Sequence, residues 1–218
     1  KEAPIEVNGA VNCGGETIKA IVGSITALDG YTFNVNYGSQ APANCLVAKP
    51  GSTVSFATVK GNTPEYIACD AASLLWQDNK DLVKSVSIDG CQIKVELNAS
   101  QEGNAVVAAS KNGTIVWSWN IWVLADEIKD VTVGSYTFMD RNVGAVTLDE
   151  KSEKSIGVIY QYGRKDPFPG IKGYDTGKAA YVLRDIYNAS GAVIAPEIKD
   201  NTEANNIENT IANPLTFY

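Results

Sequence analysis

The chain has no histidine and a single methionine, Met139. Without histidine, the usual base of a Ser-His-Asp triad and the commonest nitrogen ligand of zinc or haem are both missing. The four cysteines, Cys13, Cys45, Cys69 and Cys91, show no Cys-x-x-Cys spacing, so neither a bound metal nor a cofactor is expected. Basic runs are missing too. With 18 Lys and Arg against 25 Asp and Glu the net charge is −7, and no stripe of cations is available to neutralise phosphates, which removes nucleic acid from the expected partners. The same sign disfavours adhesion to an anionic lipid surface. No apolar run approaches the ~20 residues of a membrane-spanning helix, so no transmembrane segment is expected. No glycine-rich phosphate loop joins a strand to a helix.

What is present is the composition of a folded protein: 44% hydrophobic, 20% charged, with 19 glycines and 8 prolines spread along the chain instead of gathered into a linker. A length of 218 residues suits two domains, since domains usually run to ~100 to 150 residues. The sequence starts at Lys1 without an initiator methionine, from which a removed leader is expected. The cysteines allow two disulfides with three connectivities, or buried free thiols; both alternatives stand.

From residue 17 to 123 the chain reads as short strands between turn signals. "TIKAIVGSI" and "YTFNVNYG" are rich in β-branched and aromatic residues and run into glycine. "NCLVAKPGSTVSFATV" is two strands around a Lys49-Pro50-Gly51-Ser52 turn. Asp89-Gly90 and Asn112-Gly113 each suit a two-residue hairpin turn between alternating segments. This spacing predicts an antiparallel, immunoglobulin-like β-sandwich over residues 1–123. Within "TIVWSWNIWV", strand alternation puts Trp117 and Trp119 on one face with Ile115 and Ile121, and Val116, Ser118, Asn120 and Trp122 on the other. The wholly apolar first face predicts that both rings are core residues and not a ligand platform.

Residues 124–133 are charged and aperiodic and are expected to form a linker. Residues 134–218 read as a smaller mixed α/β domain, with strands in "YTFMD" and "GVIYQY" and a short helix in "TEANNIENTIA", capped at Asn201 or Thr202 and stopped by Asn213-Pro214. Phe138, Ile159 or Tyr160 are expected to dock this piece on the sandwich or on a lost segment. The loop "LDEKSEKS" is a solvated charge run without an assigned function.

The segments "ANCLVAKPGSTVSFATVKGN", "GNAVVAASKNGTIVWSWNIWV", "FMDRNVGA" and "GVIYQYGRKDPF" lie in order within residues 41 to 218. Together they resemble a group of exported Bacteroidetes surface proteins, fimbrillin-like and cell-adhesion lipoproteins that carry the Fibrobacter succinogenes major paralogous domain. Members show a histidine where this chain has Asn120, a leucine where it has Val143 and a tryptophan where it has Tyr162. They also continue beyond a stretch like "ANPLTFY" into a Cys-Pro-x-Gly segment. The resemblance therefore implies that the second domain is the front half of a module. It also implies export to the cell surface or outer membrane, with a lipid anchor on a removed N-terminal segment.

Catalytic chemistry has little to work with. Paired carboxylates are the remaining kit, and nothing in the spacing of Asp140, Asp166 and Asp175 brings two of them together, so no catalytic residue is assigned. Asp140, Arg141 and Asn142 could meet glycan hydroxyls, but an Asp and Arg locking a turn is the preferred reading. The stronger ligand candidate is "YQYGRKDPFPG": Tyr160 and Tyr162 share a strand face, and Arg164, Asp166 and Phe168 follow in a proline-rich loop, which also suits plain packing. Two functions follow. One is a non-enzymatic adhesion or fimbria-associated structural protein whose partners are other surface subunits. The other is a glycan-binding module of a surface nutrient-capture system, with host or dietary glycans as ligands.

Overall fold

The computed structural model describes residues 10–13, 16–19, 43–61, 67–90, 92–199 and 207–217. The first strands are β1 (Ala10–Cys13), β2 (Glu16–Lys19), β3 (Cys45–Ala48), β4 (Thr53–Ala57), β5 (Ala71–Gln77), β6 (Val83–Asp89), β7 (Gln92–Leu97), β8 (Gly103–Lys111) and β9 (Thr114–Val123). The second half adds β10 (Asp130–Val133), β11 (Tyr136–Met139), β12 (Ile171–Asp175), β13 (Ala180–Leu183), β14 (Ile186–Tyr187), β15 (Val193–Ile194), β16 (Glu197–Ile198) and β17 (Thr216–Phe217). Among the described residues the one α-helix is α1 (Ile207–Ala212), just before β17, and a 3-10 turn spans Glu153–Ser155. The protein is mainly β, and no helix among the described residues is long and apolar enough to cross a membrane.

Two sheets carry the core. One has six strands in the order β15-β14-β5-β8-β9-β3, the other three in the order β4-β7-β6. Alternation in β7, "QIKVEL", buries Ile93, Val95 and Leu97 and leaves Lys94 and Glu96 outside. These side chains meet Phe56, Val107, Trp119 and Ile121 in one cluster, where the Phe56 and Trp119 rings pack edge to face at 5.2 Å. Trp119 is 0% and Trp117 8% exposed, as the apolar face of β9 predicts. The indole N–H of Trp117 finds an acceptor in Asn44 Oδ1 at 2.8 Å.

The hairpin between β8 and β9 turns on Asn112 and Gly113, both at positive φ (51° and 79°), the pairing that a type I′ turn demands and that Asn-Gly supplies at little steric cost. Between β6 and β7, Asp89 pairs with Gln92, so that hairpin closes one residue later than the Asp89-Gly90 pattern suggests. The Lys49–Ser52 turn, closed by Ser52 N–H to Lys49 O at 3.2 Å, takes the chain from one sheet to the other. An all-antiparallel arrangement does not hold: β3 runs parallel to β9, Leu46 opposite Ile121. Because β3 and β4 belong to different sheets, β3 is free to enter beside β9 in either direction, which local pattern does not fix.

The six-stranded sheet is covered on both faces. On the side away from the main core, Trp76 and Val106 pack against Val158 and Ile186, with Leu75, Val143, Ile194 and Leu215 at the margin. The second half also joins the sheet itself, Tyr187 of β14 pairing with Gln77 of β5, so the sheet crosses the boundary drawn near Val123. Val158 and Ile186 make this contact, whereas Phe138 stays exposed. The 124–133 segment is only partly a linker. Its last four residues are β10, which pairs with β11 in register Val131 opposite Phe138 and Val133 opposite Tyr136. Helix α1 stops at Ala212, directly before Asn213-Pro214; the cap sought at Asn201 or Thr202 lies outside the described residues. Cys45 and Cys69 are free thiols, and Cys91 and the side chain of Cys13 are outside the described set.

Candidate functional site

The loop singled out by sequence is closed at its base by paired backbone hydrogen bonds between Ile159 and Phe168 (3.1 and 2.7 Å). Its five candidate residues do not share one surface. Tyr160 is 46% exposed and Tyr162 stands wholly in solvent, while Arg164, Asp166 and Phe168 are buried. Arg164 donates to the carbonyls of Pro214 (2.8 Å), Asn213 (3.3 Å) and Thr216, and its guanidinium lies 4.6 Å from the Phe168 ring centroid. Phe168 in turn packs on Phe217, ring centroids 5.5 Å apart. These contacts use the fork of a guanidinium to satisfy carbonyls of a turn that has no strand partner for them.

Asp166 points to the middle of β9. Its Oδ2 accepts from Ser118 Oγ at 2.8 Å and from Lys165 Nζ at 2.7 Å, and Lys165 Nζ also donates to Ser118 Oγ at 2.5 Å and Ser118 O at 3.0 Å. The same ammonium sits 4.5 Å from the Trp117 ring centroid. Burial pushes the Asp166 carboxyl above its ordinary value, restrained by Lys165, and pushes the Lys165 ammonium below its own, restrained by Asp166. A serine beside a lysine is a nucleophile-and-base kit. Ser118 is fully buried in a central strand, and the trio clasps β9 to the loop of the second half. Nothing in the spacing of Ser118 and Lys165 announces it, because the pair is brought together only by the fold.

A second buried clasp joins β14's approach to the end of β5. Arg184 reaches Asp78 Oδ2 at 3.4 Å and donates to Gly157 O at 2.5 Å, while Asp78 accepts from the Asn104 N–H (2.6 Å) and Nδ2 (3.1 Å). Burial pushes the Asp78 carboxyl up, and Arg184 and Asn104 pull it back. Gly157 has to be glycine, since its φ is +78° and a Cβ would sit 2.1 Å from Val143 O.

The open site is elsewhere. The β10–β11 hairpin carries Val131, Val133, Tyr136 and Phe138 on one face, all exposed, with Tyr136 70% and Phe138 56% accessible and their ring centroids 6.4 Å apart. At its base runs an open groove of about 670 Å³ lined by Phe138, Met139, Val143 and Leu148 and by Asp140, Arg141, Asn142, Thr147, Glu150 and Ser155. Arg141 grips Asp140 through Nε (2.8 Å) and Nη2 (3.1 Å) and bonds Glu127 O (3.3 Å), and Asn142 Nδ2 holds Ser155 O at 3.2 Å. The Arg141 hydrogen bonds hold the Asp140 carboxyl below its ordinary value. This is the turn-locking role expected of Asp140 and Arg141, in a position that also borders the groove. Alternation across "VTVGSYTF" was the signal for the hairpin; placing a boundary inside it concealed the apolar face. No group of His, Cys, Asp and Glu suited to a metal ion occurs among the described residues. No family model matches the chain, and no curated protein or solved structure matches it either.

Proposed function

We propose that this chain is a non-enzymatic adhesion protein of a bacterial cell surface, acting as, or alongside, a fimbrial structural subunit. The observation that carries this is where apolar surface is left over. Tyr136, Phe138, Tyr174, Tyr181 and Ile198 face solvent on two-stranded pieces of the second half, whereas Ser118 and Asp166 are buried and the Lys165 side chain is 15% exposed. Grouped exposed apolar side chains suit contact with another surface. The resemblance of the four segments supports the same function. On this proposal the two sheets around Trp119 are an immunoglobulin-like sandwich bearing a smaller mixed α/β unit, and the protein is exported and held at the outer surface by a lipid.

Surface material sheared from cells making the full-length protein, run unboiled on a denaturing gel, is expected to show the chain within a polymer ladder. The chain running solely as a monomer would remove the fimbrial assignment. Glycan hydrolysis by the purified chain that is lost in Asp166→Asn would remove the non-enzymatic one.

A further inference from the structure

We propose that the groove at the base of the β10–β11 hairpin is a binding site for a neutral carbohydrate chain, with Phe138 as its stacking platform and Asp140, Asn142 and Glu150 as partners for hydroxyl groups. The inference rests on the chain being a binding protein, and it identifies what is bound. A pyranose ring is amphipathic: its C–H face packs on an aromatic ring while its equatorial hydroxyls need planar polar groups at the edge. The groove offers this division, with Phe138, Met139 and Leu148 exposed along it beside Asp140, Asn142, Thr147 and Glu150. Its volume of about 670 Å³ falls within the ~300 to 1,000 Å³ typical of small-molecule sites. Tyr136, one residue pair up the same hairpin face, carries the platform beyond the groove, as an extended chain of sugars requires.

The polar wall is held in place before any ligand arrives. Asp140 is fixed by two bonds from Arg141, and Asn142 by its bond to Ser155 O. Arg141 itself is buried and is anchored on its far side by Glu127 O at 3.3 Å. Anionic occupants fit less well. An anionic ligand would meet Asp140 and Glu150, in a chain of net charge −7.

The test uses the full chain in affinity electrophoresis through gels containing laminarin, xyloglucan, galactomannan or neutral mucin glycans, followed by calorimetry with oligosaccharides of whichever polymer retards it. Retardation by at least one probe is expected, with affinity falling about tenfold in Phe138→Ala, several-fold in Asn142→Ala, and less than about twofold in Tyr162→Ala. Phe138 and Tyr162 are exposed, so both variants should keep the wild-type circular dichroism. No retardation by any probe overturns the proposal, as does binding that survives Phe138→Ala or is lost instead in Tyr162→Ala. A polymer ladder dissolved by Phe138→Ala, without carbohydrate binding, would reassign this face to a subunit contact. Failure here leaves the adhesion proposal standing, because the ladder experiment reads it separately.

Discussion

The body built from β3 to β9 and the half that follows it solve the same problem, ordering a chain in water, by different means. In the body, strands of up to ten residues bury alternate apolar side chains in one cluster around Trp119 and Phe56. In the second half the strands are two to five residues long and the apolar cluster beneath it is small, four buried residues of which Trp76 and Val106 come from the body. What holds it instead is a set of cations: Arg164 on the carbonyls after α1, Arg184 on Gly157 O and Asp78, and Lys165 on Ser118 and Asp166. The difference teaches that a segment too short of apolar residues to make its own core can be ordered by charge-assisted bonds to backbone oxygens, and that its remaining apolar residues are then left on the surface.

The largest expected effect is on the body. Trp119→Ala should remove about 4 to 5 kcal/mol of stability in urea unfolding, because a fully enclosed indole leaves a cavity that strands on both sides cannot close. A loss below about 1 kcal/mol would mean that the core is not where stability resides. Next comes the second half, where Arg184→Ala should cost about 3 kcal/mol by leaving the Asp78 carboxylate buried with only Asn104 as partner. Trypsin cleavage in residues 144–157 should rise in that variant if the clasp holds the halves together; unchanged cleavage and unchanged stability would show it to be dispensable.

A smaller, pH-dependent effect belongs to the Asp140–Arg141 pair. The Asp140 carboxyl is held below its ordinary value of 3.8, so its contribution is present above that pH and is lost as pH falls through the folded-state value. Unfolding measured at pH 5 and again near pH 3 should therefore show a smaller acid loss in Asp140→Asn than in the wild type. The smallest effect belongs to the exposed rings: Phe138→Ala and Tyr162→Ala should each shift stability by less than about 0.5 kcal/mol. A larger loss in Phe138→Ala would mean that the hairpin face is covered after all.

Much of the body could be read from residue order. Alternation in "QIKVEL" fixed which side chains face inward and in "WSWNI" placed Trp117, Trp119 and Ile121 in the core, although a register shift between Ile115 and Trp117 brings Val116 and not Ile115 to that cluster. Asn112-Gly113 fixed a turn, and Asn213-Pro214 fixed a helix end in the second half. The candidate loop was harder. Arg164, Asp166 and Phe168 have the composition of a ligand site, yet the first two spend their hydrogen-bonding groups on Pro214, Asn213, Thr216, Ser118 and Lys165. A guanidinium or carboxylate in a loop carries the same sequence signal whether its partner is a ligand or a distant carbonyl.

By itself the sequence determined most strands of the body, the inward face of β7 and the Asn112-Gly113 turn, because periodicity and backbone preference act locally, whereas the strand expected in "GVIYQY" is reduced to a single bridge at Ile159. Only the tertiary structure decided that β3 lies parallel to β9, that β14 and β15 extend the sheet of the first half, and that Asp166 closes on Ser118. It also decided that the face of Tyr136 and Phe138 would stay open. Those outcomes join residues far apart along the chain, where a face pattern says that a partner is needed but cannot say which one arrives.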